Sequence, residues 1–351
     1  MKKIIALVLS IVLLITMIGC SSNSNKPNEP VNNTTDSNSD VPSNSSSNSP
    51  SSGSPMRMLL GTSSAGGTYY VLGGGWAKLM NDNLKDVDIS VEVTGGPNTN
   101  IQLIEQEQME LGFATTWLAG EAFDGIGWAE GEKYQEIRAM YPMYSSVLYI
   151  YTLKDSGIKS IYDFEGKNIS VGAPGATSDL AGRAVLDVLG IKPKSISSLP
   201  SDAQINALKD GTVDANFGIT GLPAPWLLDI ETTHEIQYIS LEQEDIDKIL
   251  TEYPYWSQGI VPEGTYKHQE GEIPVITFWN IAIADKDIPD DIVYNLVKTT
   301  FDHHEELVAI DPTSKDTLPK NIDKSSIPLH PGALKYYQEI GIEVPDNLIV
   351  K

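Results

Sequence analysis

Four times along this chain a short apolar run gives way to a turn of glycines and hydroxyl residues, then to a helical pattern. Arg57–Gly61 leads into Thr62-Ser63-Ser64-Ala65-Gly66-Gly67-Thr68 and a helix expected over Tyr69–Asn83. Asp88–Thr94 leads into Gly95-Gly96-Pro97 and a helix around Asn98–Gln108, and Leu111–Thr115 leads into Thr116 and a short helical stretch. The pattern restarts at Asn168–Gly172, with a turn over Ala173–Thr177 and a helix over Ser178–Leu189. Asp202–Lys209 then reads as a helix and Asp214–Ile219 as a strand. Strand–turn–helix units in series restrict the fold to α/β, with parallel strands covered by helices on both faces. Two starts of the pattern predict two such sheets.

In α/β sheets the turns after the strands line the ligand crevice. Glycine lets backbone approach a ligand, and each turn feeds a helix start whose free N–H groups suit a carboxylate or phosphate. One such turn is required by any tight connection, whereas four, drawn from both halves, predict a cleft between two bodies. The body from Met56 to Lys351 is long for one hydrophobic core, so two lobes are expected on size as well.

The N-terminus carries a targeting signal. Lys2 and Lys3 precede an apolar run from Ile4 to Ile15, and Met17-Ile18-Gly19-Cys20 closes it. That run is too short to cross a bilayer, which takes about 20 residues. It fits a secretory signal over 1–19. Cys20 is the one cysteine of the chain. With no disulfide partner, it is expected to take a lipid after cleavage, as in a bacterial lipoprotein. Residues 20–55 are nearly all Ser, Asn, Pro, Thr and Asp. Such a segment cannot bury enough surface to offset chain entropy and reads as a tether. The formal net charge of −23 argues against nucleic acid as a partner.

The turns and their surroundings resemble those of the TAXI proteins, extracytoplasmic solute receptors of one class of TRAP transporter. The resemblance is carried by Gly61-Thr-Ser-Ser-Ala-Gly-Gly-Thr-Tyr-Tyr70 with Gly73-Gly74, Val91-Glu-Val-Thr-Gly-Gly96 with Asn100, and Asp155-Ser-Gly-Ile-Lys-Ser160. It continues through Val171-Gly-Ala-Pro-Gly175, Ala207-Leu-Lys-Asp-Gly211, Pro223-Ala-Pro225 and Ile327-Pro-Leu-His-Pro-Gly332. Common singly, these blocks are specific as an ordered series over the whole body. The resemblance implies a two-lobed, periplasmic-binding-protein-like fold of type II. One lobe would combine 56–150 with 276–351 and the other would hold 151–275. The chain would cross near Val147–Leu153 and again through Pro274–Ala284. It also implies a monomer that closes on a small organic solute, such as a carboxylate or amino acid, and delivers it to an ion-driven permease. No cofactor or metal is expected. An ABC-importer receptor shares the tether and the two-lobed design.

Solute contacts are expected from the turns. Ser64, Gly67 and Tyr69 come from the first, Asn100 from the helix after the second, and Thr115, Thr116 and Trp117 from the third. Ala176, Thr177 and Ser178 come from the fourth, and Phe217 and Thr220 from the end of the Asp214–Ile219 strand. Trp256 belongs to the aromatic cluster Tyr253-Pro-Tyr-Trp256. Where the family commonly has Gln-Ser-Asp and Tyr-Pro-Glu, this chain has Thr115-Thr116-Trp117 and Tyr141-Pro142-Met143. If Trp117 and Met143 face the cleft, the loss of two acids favours a carboxylate with less cationic character or a bulkier apolar side. If they pack in the core, these departures carry no such meaning.

An enzyme has little support. Gly-X-Ser-X-Gly, Walker and His-Glu-X-X-His patterns are missing. His303-His304-Glu305 has adjacent spacing that turns its two rings apart on a helix. A secreted hydrolase would need a pKa-shifted acid or base in the cleft, and the turns offer hydroxyls and amides.

Overall fold

The computed structural model describes residues 54–65 and 67–350. The signal segment, Cys20 and nearly all of the tether lie outside them. The chain runs β1 (Met56–Gly61), α1 (Thr68–Asn83), β2 (Val87–Glu92), α2 (Pro97–Glu105), β3 (Leu111–Thr115), α3 (Thr116–Asp124) and β4 (Ile137–Leu153). It continues through β5 (Asn168–Ser170), α4 (Thr177–Val188), β6 (Ser195–Ser197), α5 (Ser201–Lys209) and β7 (Ala215–Thr220). Next come α6 (Pro225–Ile230), β8 (Ile236–Tyr238), α7 (Gln243–Glu252) and β9 (Ser257–Val261). The last elements are β10 (Ile273–Asp285), α8 (Asp290–Asp302), α9 (His304–Ile310) and α10 (Pro331–Glu339).

The fold is mixed α/β, and the two parallel blocks implied by the repeated pattern are present. In the first, β1 pairs in parallel with β2 and β3. In the second, β5 pairs in parallel with β6 and β7. The expectation of two separate sheets is corrected: one continuous sheet has the order β2-β1-β3-β10-β4-β7-β5-β6. The link is made by two long strands, β4 of 17 residues and β10 of 13. They pair antiparallel from Thr277↔Val147 to Asp285↔Ile137. At that point each changes partner. β4 goes on to pair with β7 from Val147 to Tyr151 and with β8, while β10 pairs with β9 from Thr277 back to Ile273.

The side-chain alternation of a strand explains how β4 serves two cores. Beyond Val147 its odd residues Val147, Tyr149 and Tyr151 join Leu227, Ile230, Val261 and Val275 in one cluster. Its even residues Leu148 and Ile150 join the larger cluster, which contains Leu60, Trp76, Phe113 and Phe217. A strand buried on both faces carries no polar alternation, which is why its sequence reads as a nearly continuous apolar run.

The helices expected after each turn are present. The stretch Ile292–Leu307, which reads from sequence as one helix, is broken: α8 and α9 meet at His303, whose φ of −110° and ψ of 29° leave the helical region. Among the described residues, no helix is long and apolar enough to cross a membrane.

Candidate ligand-binding site

Three strand ends of the first block converge on one side chain. Asn100, fully buried on α2, places Nδ2 within 3.1 Å of the Gly61 carbonyl, 2.9 Å of that of Thr62 and 2.8 Å of that of Phe113. Its Oδ1 accepts from the Thr94 hydroxyl at 2.7 Å. Gly61 is required by this arrangement, since a Cβ there would sit 2.5 Å from Asn100 Oδ1. The second block has an equivalent brace in Gln204 on α5. Its Nε2 donates to Ser170 Oγ at 3.0 Å and to the Phe217 carbonyl at 2.9 Å, joining the ends of β5 and β7. Both are buried polar groups whose hydrogen bonds are satisfied inside the protein, so they fix the turns rigidly.

The braced turns present helix starts. Gly67 and Ala176 cap α1 and α4 without any side-chain hydrogen bond, leaving their first N–H groups open, whereas α2 after Gly96 begins with Pro97, which has none. At α3 the Thr115 hydroxyl accepts from the Leu118 N–H at 3.2 Å. The fourth turn is held from below by Asp179, which accepts from the Gly175 N–H at 3.1 Å, Arg183 Nε at 2.8 Å and Ser198 Oγ at 2.9 Å.

The two blocks meet at the first turn. Thr68 Oγ1, at the start of α1, lies 2.9 Å from Thr220 Oγ1, at the end of β7. Beside it, Gly221 packs so closely on Thr313 that a Cβ would collide with the threonine methyl group. The Gly221 carbonyl accepts from Tyr149 OH at 3.3 Å, and Tyr149 OH in turn accepts from Tyr266 OH at 2.9 Å. Under Thr68, Tyr69 OH donates to Asn280 Oδ1 at 2.5 Å, while Asn280 Nδ2 donates to the Tyr144 carbonyl at 2.7 Å and Ser146 Oγ at 2.8 Å. Burial pushes the Tyr69 and Tyr144 hydroxyls well above their ordinary range, so both remain neutral donors. Ser145 Oγ is enclosed nearby on β4 without a partner. The arrangement offers hydroxyls, amides and helix N-termini. It can hold a polar or anionic small molecule.

Comparison with known proteins places the chain. Residues 60–341 match the model of the NMT1-like family. The chain belongs to the NMT1-like family. Its fold is also that of MatC from Rhodopseudomonas palustris, solved with bound malate, at a TM-score of 0.51 and 13% identity, covering 82% of this chain and 97% of that one. A further likeness is to the periplasmic binding protein BugD, at 0.48 and 14%, covering 83% and 100%. The arginine-, lysine- and histidine-binding protein ArtJ from Geobacillus stearothermophilus gives 0.46 and 14%, covering 77% and 99%.

In this NMT1-like chain the residues expected at the site divide into three groups. Ser64 is exposed, Gly67, Ala176 and Ser178 are half-buried, and Tyr69, Thr177 and Thr220 are buried at the turns described above. Trp117 and Trp256 come together at 4.8 Å between ring centroids, in an aromatic cluster with Tyr253 and Phe278. Thr116 lies beside them, its hydroxyl 3.3 Å from the Trp279 carbonyl. The third group stands inside the protein. Asn100 is the brace, and Thr115 is spent as a helix cap. Phe217 is sealed against Phe164, at 5.8 Å between centroids. Met143 lines a void of about 10 Å³ with Leu72, Trp76, Phe113 and Tyr141. Met143 and Trp117, 1% and 3% exposed, both pack in the core, as in the second alternative of the sequence reading. Thr68, Tyr144, Ser146 and Asn280 were not singled out from sequence. The available signal was Asn280, a lone amide in the apolar run Ile276–Ala284.

Proposed function

We propose that this chain is an extracytoplasmic solute receptor. It captures a small organic solute between two lobes, 56–150 plus 276–351 against 151–275, and delivers it to a membrane permease. The observation carrying this reading is the Thr68–Thr220 contact, because it brings turns from the two parallel blocks face to face. The partner exchange of β4 and β10 at Val147 and Thr277 supplies two strands that could bend together as a hinge.

The solute class supported best is a small carboxylate. Uncapped starts of α1 and α4 offer N–H groups to an anion. Thr68, Thr177 and Thr220 add hydroxyls. The arginine nearest the turns, Arg183, is already paired with Asp179 at 2.8 Å. MatC, of the same fold, was solved with malate. Lipid attachment at Cys20 follows from the N-terminal signal pattern, and delivery to an ion-driven TRAP permease of the TAXI type from the family resemblance. A receptor of the ABC type would use the same cleft, and uptake driven by an ion gradient or by ATP in reconstituted vesicles separates the two.

Native mass spectrometry of the gently purified chain tests the reading, since a closed receptor releases its solute only on opening. Retention of a small carboxylate is expected. If none is retained, a thermal-shift screen of carboxylates follows, where ligand at 100 times Kd adds about 2.7 kcal/mol. A blank screen would overturn the carboxylate assignment.

A further inference from the structure

A second concave surface lies away from the strand-end turns. It is a groove of about 790 Å³, open to solvent, between the Glu121–Gly127 segment and the Lys248–Tyr255 segment, with Asp187 at one edge. Its lining is acidic and aromatic: Glu121, Asp187 and Glu252 with Tyr253 and Tyr255. The one cation lining it, Lys248, is already paired with Glu244 at 3.0 Å.

Glu121 is the group that most needs explaining. It is 7% exposed and has no cationic partner among the described residues. Its Oε2 accepts a long 3.2 Å bond from the Trp128 N–H. Gly127, with φ of 56°, lies directly over it, and any Cβ there would strike the carboxylate. Burial holds its pKa above the ordinary carboxylate value. A buried, unpaired carboxylate costs stability, so its retention in a groove wall marks a place where an outside cation would recover that cost. Tyr253 registers the same field: burial first, then the charges of Glu121, Asp187 and Glu252, push its hydroxyl up. Behind Tyr253, Trp256 stacks at 4.3 Å and Trp117 meets it edge-on at 5.9 Å. The Trp117 indole, on a side chain 3% exposed, turns its N–H toward Glu121 from the core side.

We infer that this groove binds an organic ammonium cation, with its charge against Glu121 and its alkyl groups on the Tyr253 face. Aromatic faces attract such cations by their quadrupole, and more strongly where water is excluded. Asp187 and Glu252, both exposed, add attraction screened by solvent. None of the groove-lining residues belongs to the turns of the first site.

Isothermal titration of the full chain with tetramethylammonium, choline and putrescine tests this, with sodium at matched ionic strength as control. One saturable site for at least one of the three amines is expected. Glu121→Gln keeps the shape and is expected to weaken it at least tenfold, and Asp187→Asn, at an exposed position, severalfold. Both variants should keep whatever solute the native chain retains in mass spectrometry. No saturable binding by any amine would overturn the inference. So would binding equalled by sodium, which is the screening expected of any acidic surface, or binding unchanged in both variants. Loss of retained solute with amine binding intact would count against the first site alone.

Discussion

Thr68 and Thr220 stand 152 residues apart in the chain, and their hydroxyl oxygens meet at 2.9 Å. Each lies at the end of its own braced turn, so the contact reports how the two parallel blocks are positioned. Thr220→Val keeps the shape and removes the hydroxyl. Since one hydrogen bond contributes about 0.5–1.5 kcal/mol net, global stability should fall by no more than that. Solute retention should drop, because the closed arrangement loses its link. Native mass spectrometry beside a urea titration checks both. Unchanged retention would remove this contact from the binding mechanism.

Gly221 tests the same junction by steric means. Its substitution by alanine would drive a methyl group into Thr313. The β7 end and the Thr313 segment should separate, and small-angle scattering should show a larger radius of gyration than the native chain. An unaltered scattering profile, with normal solute retention, would show that the junction absorbs the methyl group locally.

Asn100 and Gln204 should be the costliest polar residues to truncate. Asn100→Ala removes the donor shared by the carbonyls of Gly61, Thr62 and Phe113, of which that of Thr62 keeps the Thr94 hydroxyl at 3.0 Å. With about 1–3 kcal/mol per unsatisfied buried group, a loss of about 3 kcal/mol or more is expected from the shift in denaturant midpoint. Gln204→Ala leaves Ser170 and the Phe217 carbonyl without their donor and should cost less. Equal, small effects would mean that water replaces both amides.

His330 gives the molecule a pH dependence of defined sign. The ring is fully buried, and Nδ1 accepts from the Gly332 N–H at 3.1 Å, capping α10. Burial lowers its pKa, with the nearby Asp290 opposing. The unfolded chain therefore takes up a proton near the ordinary value of about 6.5, where the folded chain does not. Stability from this group is complete above about pH 6.5 and is lost as the pH falls below it. His330→Asn can still cap the helix but does not titrate. Its unfolding free energy should fall less between pH 7 and 5 than that of the native chain, and an identical slope would contradict this assignment.

What the sequence made legible was local. The turns at 62–68, 94–97 and 172–177 could be read because glycine and hydroxyl residues are demanded by tight strand-to-helix connections, and the helices after them followed. Thr115 and Asn100 were expected as solute contacts, and the structure has both hydrogen-bonded inside the turns. Their inward direction could not be read, because strand ends that are distant in sequence decide it. The place of β10 between β3 and β4 is invisible for the same reason. So is the groove: Glu121 and Tyr253 come from segments that show no shared pattern. The break at His303 was missed because the apolar spacing carries on across it.

The central position of β10 has a consequence for how the protein is made. β3 and β4 leave the ribosome early, but they do not touch along their length, because the strand that separates them is synthesised last of all the strands. Until Ile273–Asp285 emerges, Phe113, Tyr141 and their neighbours have no closed interior to enter. The second block, β5 to β7, has no such wait for its own parallel pairings. The order of assembly is thus the reverse of the order of translation: the later-synthesised block can form while the first is held open. A chain with this wiring reaches its folded state only after Ile273–Asp285 has been made.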